Sequence, residues 1–289
     1  MVSRVLDGVA STPGRIVDRR RSVGLTIALA VLTSLGAVAC EPEPNATVYV
    51  LGDSNLPVWE VVYTTRIRDR PYLVVPDPFP GFGVVNDPIH GLGSDFLERR
   101  LAGAISRISP DLVVIELGVN DHELSWLDGY DAAIDRLMAR IPGSIKVIWT
   151  NVVPVPGRFD AAMQVNDELR AAEGRWPNLW VVELDRIISE LLGGQCPVLS
   201  QGTVSWQPIQ ACFESYDAGS PHLAPSGSML WAAAVRIVMD EYLTRGQRAD
   251  EIELFRQLLQ TVTVTTTTLA ADPATSTPAS TEDTSTTNP

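Results

Sequence analysis

Three short runs, Leu112–Leu117, Ile145–Trp149 and Leu179–Leu184, constrain this 289-residue chain more than any other feature. Each is almost continuous in β-prone apolar residues, the pattern of a strand covered on both faces rather than one with a wet side. Helical patterns alternate with them, over Asp95–Ile108, Leu127–Arg140, Phe159–Gly174 and Pro225–Leu243. Buried strands alternating with helices predict a parallel sheet between two helical layers, a three-layer α/β/α domain. A first strand is expected at Val48–Leu51. The second has two candidates, Leu73–Val75 and Gly83–Val85, separated by the proline-rich Pro76–Pro80, and a last helix is expected over Arg248–Leu259. An apolar share of 45% is enough for a sizeable core.

In such sheets ligands bind at the carboxyl ends of the strands, so the residues that follow each strand carry the information. Gly52-Asp53-Ser54 follows the first, with a helix expected to open at Leu56-Pro57-Val58-Trp59. Gly118-Val119-Asn120-Asp121 follows Leu112–Leu117, Thr150-Asn151 follows Trp149, and Ser220-Pro221-His222 precedes the last long helix. A serine on a strand-to-helix turn sits near backbone N–H groups that stabilise a developing oxyanion, although an N-cap would use the same residue. Ser54 as nucleophile needs a base, and of the three histidines His222 is placed to swing over the strand ends. The Asn120 amide and the N–H groups of Gly91 and Ser54 would complete an oxyanion hole. Together these residues suit acyl transfer to water.

In order and spacing the motifs resemble the SGNH hydrolases of the GDSL esterase/lipase superfamily. Gly52-Asp53-Ser54 and Gly118-Val119-Asn120-Asp121 match that family's first and third blocks. His90-Gly91-Leu92-Gly93-Ser94-Asp95 is similar to the second, and His222-Leu223-Ala224-Pro225-Ser226-Gly227 resembles the fourth. The resemblance covers about Val48 to Val238. It implies an α/β/α sandwich with a mostly parallel, flavodoxin-like sheet, and a serine esterase or deacylase that forms an acyl-enzyme on Ser54 without a cofactor. Its implied site is Ser54 and His222, with Gly91 and Asn120 at the oxyanion. Where the family places an Asp three residues before the His, this chain has Gly219, and the nearest upstream carboxylate is Asp217. Asp217 is expected to orient His222; the competing acceptor is a backbone carbonyl of Gly219 or Ser220. Relatives act on lipids, acetylated polysaccharides, thioesters and small esters, and some transfer acyl groups. The alternatives are therefore an O-acyltransferase using the same serine, or a non-catalytic domain that binds envelope glycan. His90 is read as a hydrogen-bonded loop residue, His122 as a cleft-lining one, and Asp53 and Asp121 as loop-fixing acceptors. For Trp126 and Trp206 buried packing is favoured over sugar stacking.

The ends are of another character. Arg19, Arg20 and Arg21 precede an apolar run from Val23 to Ala39 that closes in Ala37-Val38-Ala39-Cys40, the layout of a secretory signal over residues 1–39. Cys40 stands where a bacterial lipobox places its lipidated cysteine, although Ala37 occupies the usual leucine position. Plain cleavage after Ala39 and an uncleaved signal anchor are the other readings. A linker over 40–46 leads to the domain at 47–260, and a Thr/Ser/Pro-rich tail over 261–289 lacks the apolar side chains to offset its ordering entropy. With Cys40 lipidated, Cys196 and Cys212 remain as a disulfide pair in an oxidising compartment. No paired spacing of Cys or His points to a metal. A formal charge of −13 argues against a nucleic-acid partner. The expected partners are a small-molecule or glycan ester and the membrane that holds the N-terminus, with the protein acting as a monomer.

Overall fold

The computed structural model describes residues 46–56, 72–200, 203–214 and 222–257. The signal segment with Cys40, the stretch after Leu56 expected to be helical, Asp217 and the tail over 261–289 lie outside the described residues. Five strands, β1 (Ala46–Gly52), β2 (Tyr72–Pro78), β3 (Leu112–Glu116), β4 (Lys146–Thr150) and β5 (Leu179–Val182), form one parallel sheet in the order β2-β1-β3-β4-β5. That is the flavodoxin-like order, with its switch point between β1 and β3.

Alternation along each strand divides the core in two. Val48, Val50, Val114, Ile148, Trp180 and Val182 point to one face, and Tyr49, Leu51, Val113, Ile115, Trp149 and Val181 to the other. Helices α1 (Phe96–Ile108), α2 (Tyr130–Met138) and α3 (Phe159–Arg175) cover the second face. In α1 the buried residues Leu97, Leu101, Ala104 and Ile105 fall at the spacing of one helical stripe. Helix α4 (Pro225–Arg245) covers the first face through Leu230, Trp231, Val235, Val238 and Met239. A last helical stretch over 251–257 adds Ile252 and Phe255 to that core.

The second strand is the Leu73–Val75 candidate, extended through Pro76 and Pro78, which pair with Val50 and Gly52. Those prolines are tolerated because β2 is an edge strand, where a missing N–H leaves no central ladder bond unmade. The other candidate, Gly83–Val85, is loop. One element had no counterpart in the sequence reading: an antiparallel hairpin of β6 (Gln195–Ser200) and β7 (Thr203–Pro208) after a π-helical turn at Ile187–Leu191.

Cys196 on β6 and Cys212, just after β7, form a disulfide with Cα atoms 5.6 Å apart, and both are buried against α4. A loop of this length constrains the unfolded chain by about 3 kcal/mol on the loop-closure account. Replacing both cysteines by serine is expected to lower the free energy of unfolding by about that amount in urea titration.

Candidate active site

Strand β1 ends at Gly52, and the chain turns through Asp53, Ser54 and Asn55 at the carboxyl edge of the sheet. There Ser54 Oγ lies 3.0 Å from His222 Nε2. His222 comes from just before α4, and its segment is held on two sides. On one side it runs against the disulfide segment: Leu223 bridges Phe213, Glu214 N–H donates to His222 O at 2.9 Å, and Ala224 N–H donates to Cys212 O at 2.9 Å. Gly227 in the first turn of α4 is needed for that approach, since a Cβ there would lie 2.1 Å from Cys212 O. On the other side Leu223 N–H donates to Asn55 Oδ1 at 3.1 Å.

Asp53 and Asp121 organise the loops, as the sequence reading expected. Asp53 is fully buried and accepts the Asn55 N–H at 3.0 Å and Asn120 Nδ2 at 3.1 Å. The Asp121 carboxylate accepts the N–H groups of Val84, Val85 and Asn86 at 2.6, 3.1 and 2.9 Å, plus the Tyr130 hydroxyl at 3.1 Å. It thereby clamps the loop after β2 onto the loop after β3. Asn120 Nδ2 also donates to Phe82 O at 3.0 Å, so both amide hydrogens have acceptors. Gly91 is exposed, and its N–H donates to Asp87 O at 3.0 Å. Of the three expected oxyanion donors only the Ser54 N–H has no hydrogen bond among the described residues.

His90 is hydrogen-bonded in its loop, with Nδ1 2.9 Å from Asp87 Oδ2 and the ring stacked on Phe96. His122 donates from Nδ1 to Asn120 O at 2.9 Å and meets the Trp126 ring edge-on. It lines a surface groove of about 570 Å³ with Leu124, Arg158 and Phe159. Trp126 is partly buried against the core, as expected. Trp206 is not: it is 45% exposed, because β7 is the outer strand of a hairpin whose partner β6 makes the contact with α4.

Three residues of this site were passed over in the sequence. Asp87 carries the Asp-x-x-His spacing with His90; burial raises its pKa, but hydrogen bonds from Ser94 and from the His90 and Ile89 N–H groups outweigh that and hold it at about 2. Asn55 directly follows Ser54. Glu116 is the one acid in the apolar run of β3 and is buried at its end. Burial, then the neighbouring Asp53 charge, pushes the Glu116 carboxyl well above the usual range. Burial and the Asp121 charge push Asp53 up to about 7 against the Asn55 N–H, and burial also raises Asp121. Among the described residues no group of three His, Cys, Asp or Glu side chains is arranged to hold a metal ion.

A parallel sheet in this order, with Gly-Asp-Ser after β1, Gly-x-Asn-Asp after β3 and a histidine before the last long helix, is the SGNH hydrolase fold. A carbohydrate esterase family 3 protein from Talaromyces cellulolyticus matches with a TM-score of 0.50 at 13% identity, over 69% of this chain and 99% of its own. Est24, a carbohydrate acetylesterase from Sinorhizobium meliloti, matches at 0.44 and 15% identity over 65% and 95% of the two chains. The C-terminal catalytic domain of Streptococcus pneumoniae peptidoglycan O-acetyltransferase A matches at 0.42 and 13% identity over 66% and 90%. What the Talaromyces protein shares with this chain is the fold. No protein-family model matches the sequence, and no curated protein matches it either.

The raised carboxyls set a sign for pH dependence. Asp53 binds its proton more tightly in the folded protein than in the unfolded chain, whose aspartates ionise near 3.8. Between that value and about 7 the unfolded chain releases the proton first, so folding stability falls as pH rises through the window and the loss is complete above it. Each tenfold difference in proton affinity is worth about 1.4 kcal/mol, so the effect is on the order of a few kcal/mol. The urea midpoint is expected to be higher at pH 5 than at pH 8, and Asp53→Asn to shrink that difference.

Proposed function

We propose that this protein is an exported serine esterase or deacylase that hydrolyses carboxylic ester (O-acyl) bonds through an acyl-enzyme on Ser54. The observation that carries the reading is the 3.0 Å contact between Ser54 Oγ and His222 Nε2, made between residues 168 positions apart. Ser54 Oγ attacks the ester carbonyl while His222 Nε2 takes its proton. The tetrahedral intermediate collapses, the C–O bond to the alcohol breaks, and the alcohol leaves with the proton from His222. Water, deprotonated by the same imidazole, then attacks the acyl-serine and frees the acid and Ser54.

The Ser54 N–H is the donor best placed for the oxyanion, since it has no other bond to give up among the described residues. Asn120 joins it by turning one amide hydrogen from Phe82 O or Asp53, a tightening that active sites commonly make only with substrate bound. For Gly91 the same role requires breaking the bond to Asp87 O. Asp217 is assigned to orient His222.

Export is supported by the signal-like segment over 1–39 and by the Cys196–Cys212 disulfide, a bond that persists in oxidising compartments. Cys40 would carry the lipid that tethers the protein to the membrane. At that location an O-acyl group on a glycan is the preferred substrate, a reading that the carbohydrate-esterase name of the Talaromyces fold neighbour fits.

Ser54→Ala is expected to abolish ester hydrolysis and labelling by an alkyl fluorophosphonate, a loss of several orders of magnitude, with the melting temperature nearly unchanged. Activity near wild type in that variant would remove Ser54 from the mechanism. Asp217→Asn is expected to cut turnover by about a hundredfold or more with the fold intact; a folded variant within a few-fold of wild type would assign the orienting role to the backbone.

A further inference from the structure

The surface groove of about 570 Å³ has two walls, one from each of two loops. His122, Glu123 and Leu124 follow the turn after β3, and Arg158, Phe159 and Asp160 stand at the start of α3, after β4. Both loops leave the carboxyl edge of the sheet, the edge that carries Ser54. Two of the lining side chains bond directly to the Gly118–Asp121 turn: His122 Nδ1 donates to Asn120 O at 2.9 Å and Arg158 Nη1 to Val119 O at 3.3 Å. Asn120 in turn donates to Asp53, the residue before Ser54, at 3.1 Å. The groove thus begins at the nucleophile's own neighbours.

Its lining is of two kinds. Leu124 is 53% and Phe159 59% exposed. A single exposed apolar side chain is ordinary, but two that line one groove from separate loops make an apolar patch beside a reactive site. Polar groups stand among them. Arg158 is half-buried, and its contact with Val119 O is its one hydrogen bond among the described residues, so most of its N–H donors are unspent. Because His122 donates from Nδ1, the neutral ring carries its lone pair on Nε2 and is an acceptor there. Glu123 and Asp160 add exposed carboxylate acceptors.

These groups discriminate between ligands. An acyl chain laid in the groove would desolvate Arg158 and the two acids without giving them partners. An anionic ligand would meet Glu123 and Asp160 on a protein of formal charge −13. A neutral pyranose ring satisfies both kinds of lining, with its C–H face on an aromatic ring and its hydroxyls as donors and acceptors at the polar groups. We infer that this groove binds a neutral sugar ring of the substrate, with Phe159 as its stacking platform and Arg158 and His122 as its hydroxyl partners. The inference rests on the reading of Ser54 and His222 as an ester-hydrolysing pair and assigns the alcohol side of the ester to one place beside them. Phe159 and Arg158 are specificity-determining residues, since they hold the alcohol and not the reacting carbonyl.

Two readouts on the full chain test the groove: backbone amide shifts on titration with xylotetraose or chitotetraose, and the ratio of kcat/KM on the acetylated tetrasaccharide to that on 4-nitrophenyl acetate. Either neutral sugar is expected to move the Leu124, Ser125 and Phe159 amides. Phe159→Ala and Arg158→Met should each weaken that binding, and lower the kcat/KM ratio, by about tenfold, the scale of one lost stacking contact or charge-assisted hydrogen bond. Phe159→Trp should restore both, and Trp206→Ala, on the exposed hairpin, should change neither. The inference is overturned if neither sugar moves those amides at millimolar concentration. It is overturned equally if Trp206→Ala and not Phe159→Ala loses binding, or if decanoate or tetragalacturonate binds there more tightly than the neutral sugars. Should the wild type cleave no ester while the sugars still titrate these amides, the esterase reading has failed and the groove stands.

Discussion

Gly52 at the end of β1 stands opposite Glu116 at the end of β3, and the Asp53 N–H carries the ladder one bond further by donating to Glu116 O at 3.2 Å. Everything at the site depends on this pairing. Parallel neighbours end at the same edge of a sheet, so the turn 53–55 and the turn 118–121 are delivered side by side without either loop having to reach. Asp53 then meets Asn120, and Asp121 gathers three N–H groups from the loop after β2. The two central strands are buried on both faces, which makes their register costly to change.

Three neighbouring residues of that turn each hold a different part of the chain: Asp53 the Asn120 amide, Ser54 the His222 ring, and Asn55 the Leu223 backbone. The arrangement is bought with stability. Asp53, Glu116 and Asp121 are all buried acids, and each is driven toward its neutral form. A core built for stability alone would not place them together, and such local cost is typical where geometry serves a site.

The fold was legible because β3, β4 and β5 are buried on both faces and so read as unbroken apolar runs, and because α1 and α3 show a clear helical stripe. β2 was ambiguous for a physical reason: an edge strand tolerates Pro76 and Pro78, and those residues otherwise signal a loop. The hairpin escaped because Pro197, Gly202 and Pro208 break its strand pattern. At the site, Ser54, His222, Asn120 and the loop-fixing Asp53 and Asp121 stood out as polar residues just past strand ends or before a helix. Glu116 and Asn55 did not. A lone acid in an apolar run reads as a strand residue, and its meaning comes only from Gly52 on the neighbouring strand, sixty-four positions earlier. The exposure of Trp206 was equally out of reach, since it follows from a hairpin that the pattern did not reveal.

The separation of 168 positions from Ser54 to His222 also sets a clock. A chain emerges from its N-terminus at about 5–20 residues per second, so roughly ten to thirty seconds pass between the synthesis of the serine and that of its imidazole. During that interval β1 can find β3 and the Ser54 turn can form, yet no ring lies over it. Closing so long a loop comes late in any case, because its entropy must be overcome before the contact gives anything back. The contact between Ser54 and His222 therefore forms only once α4 has docked.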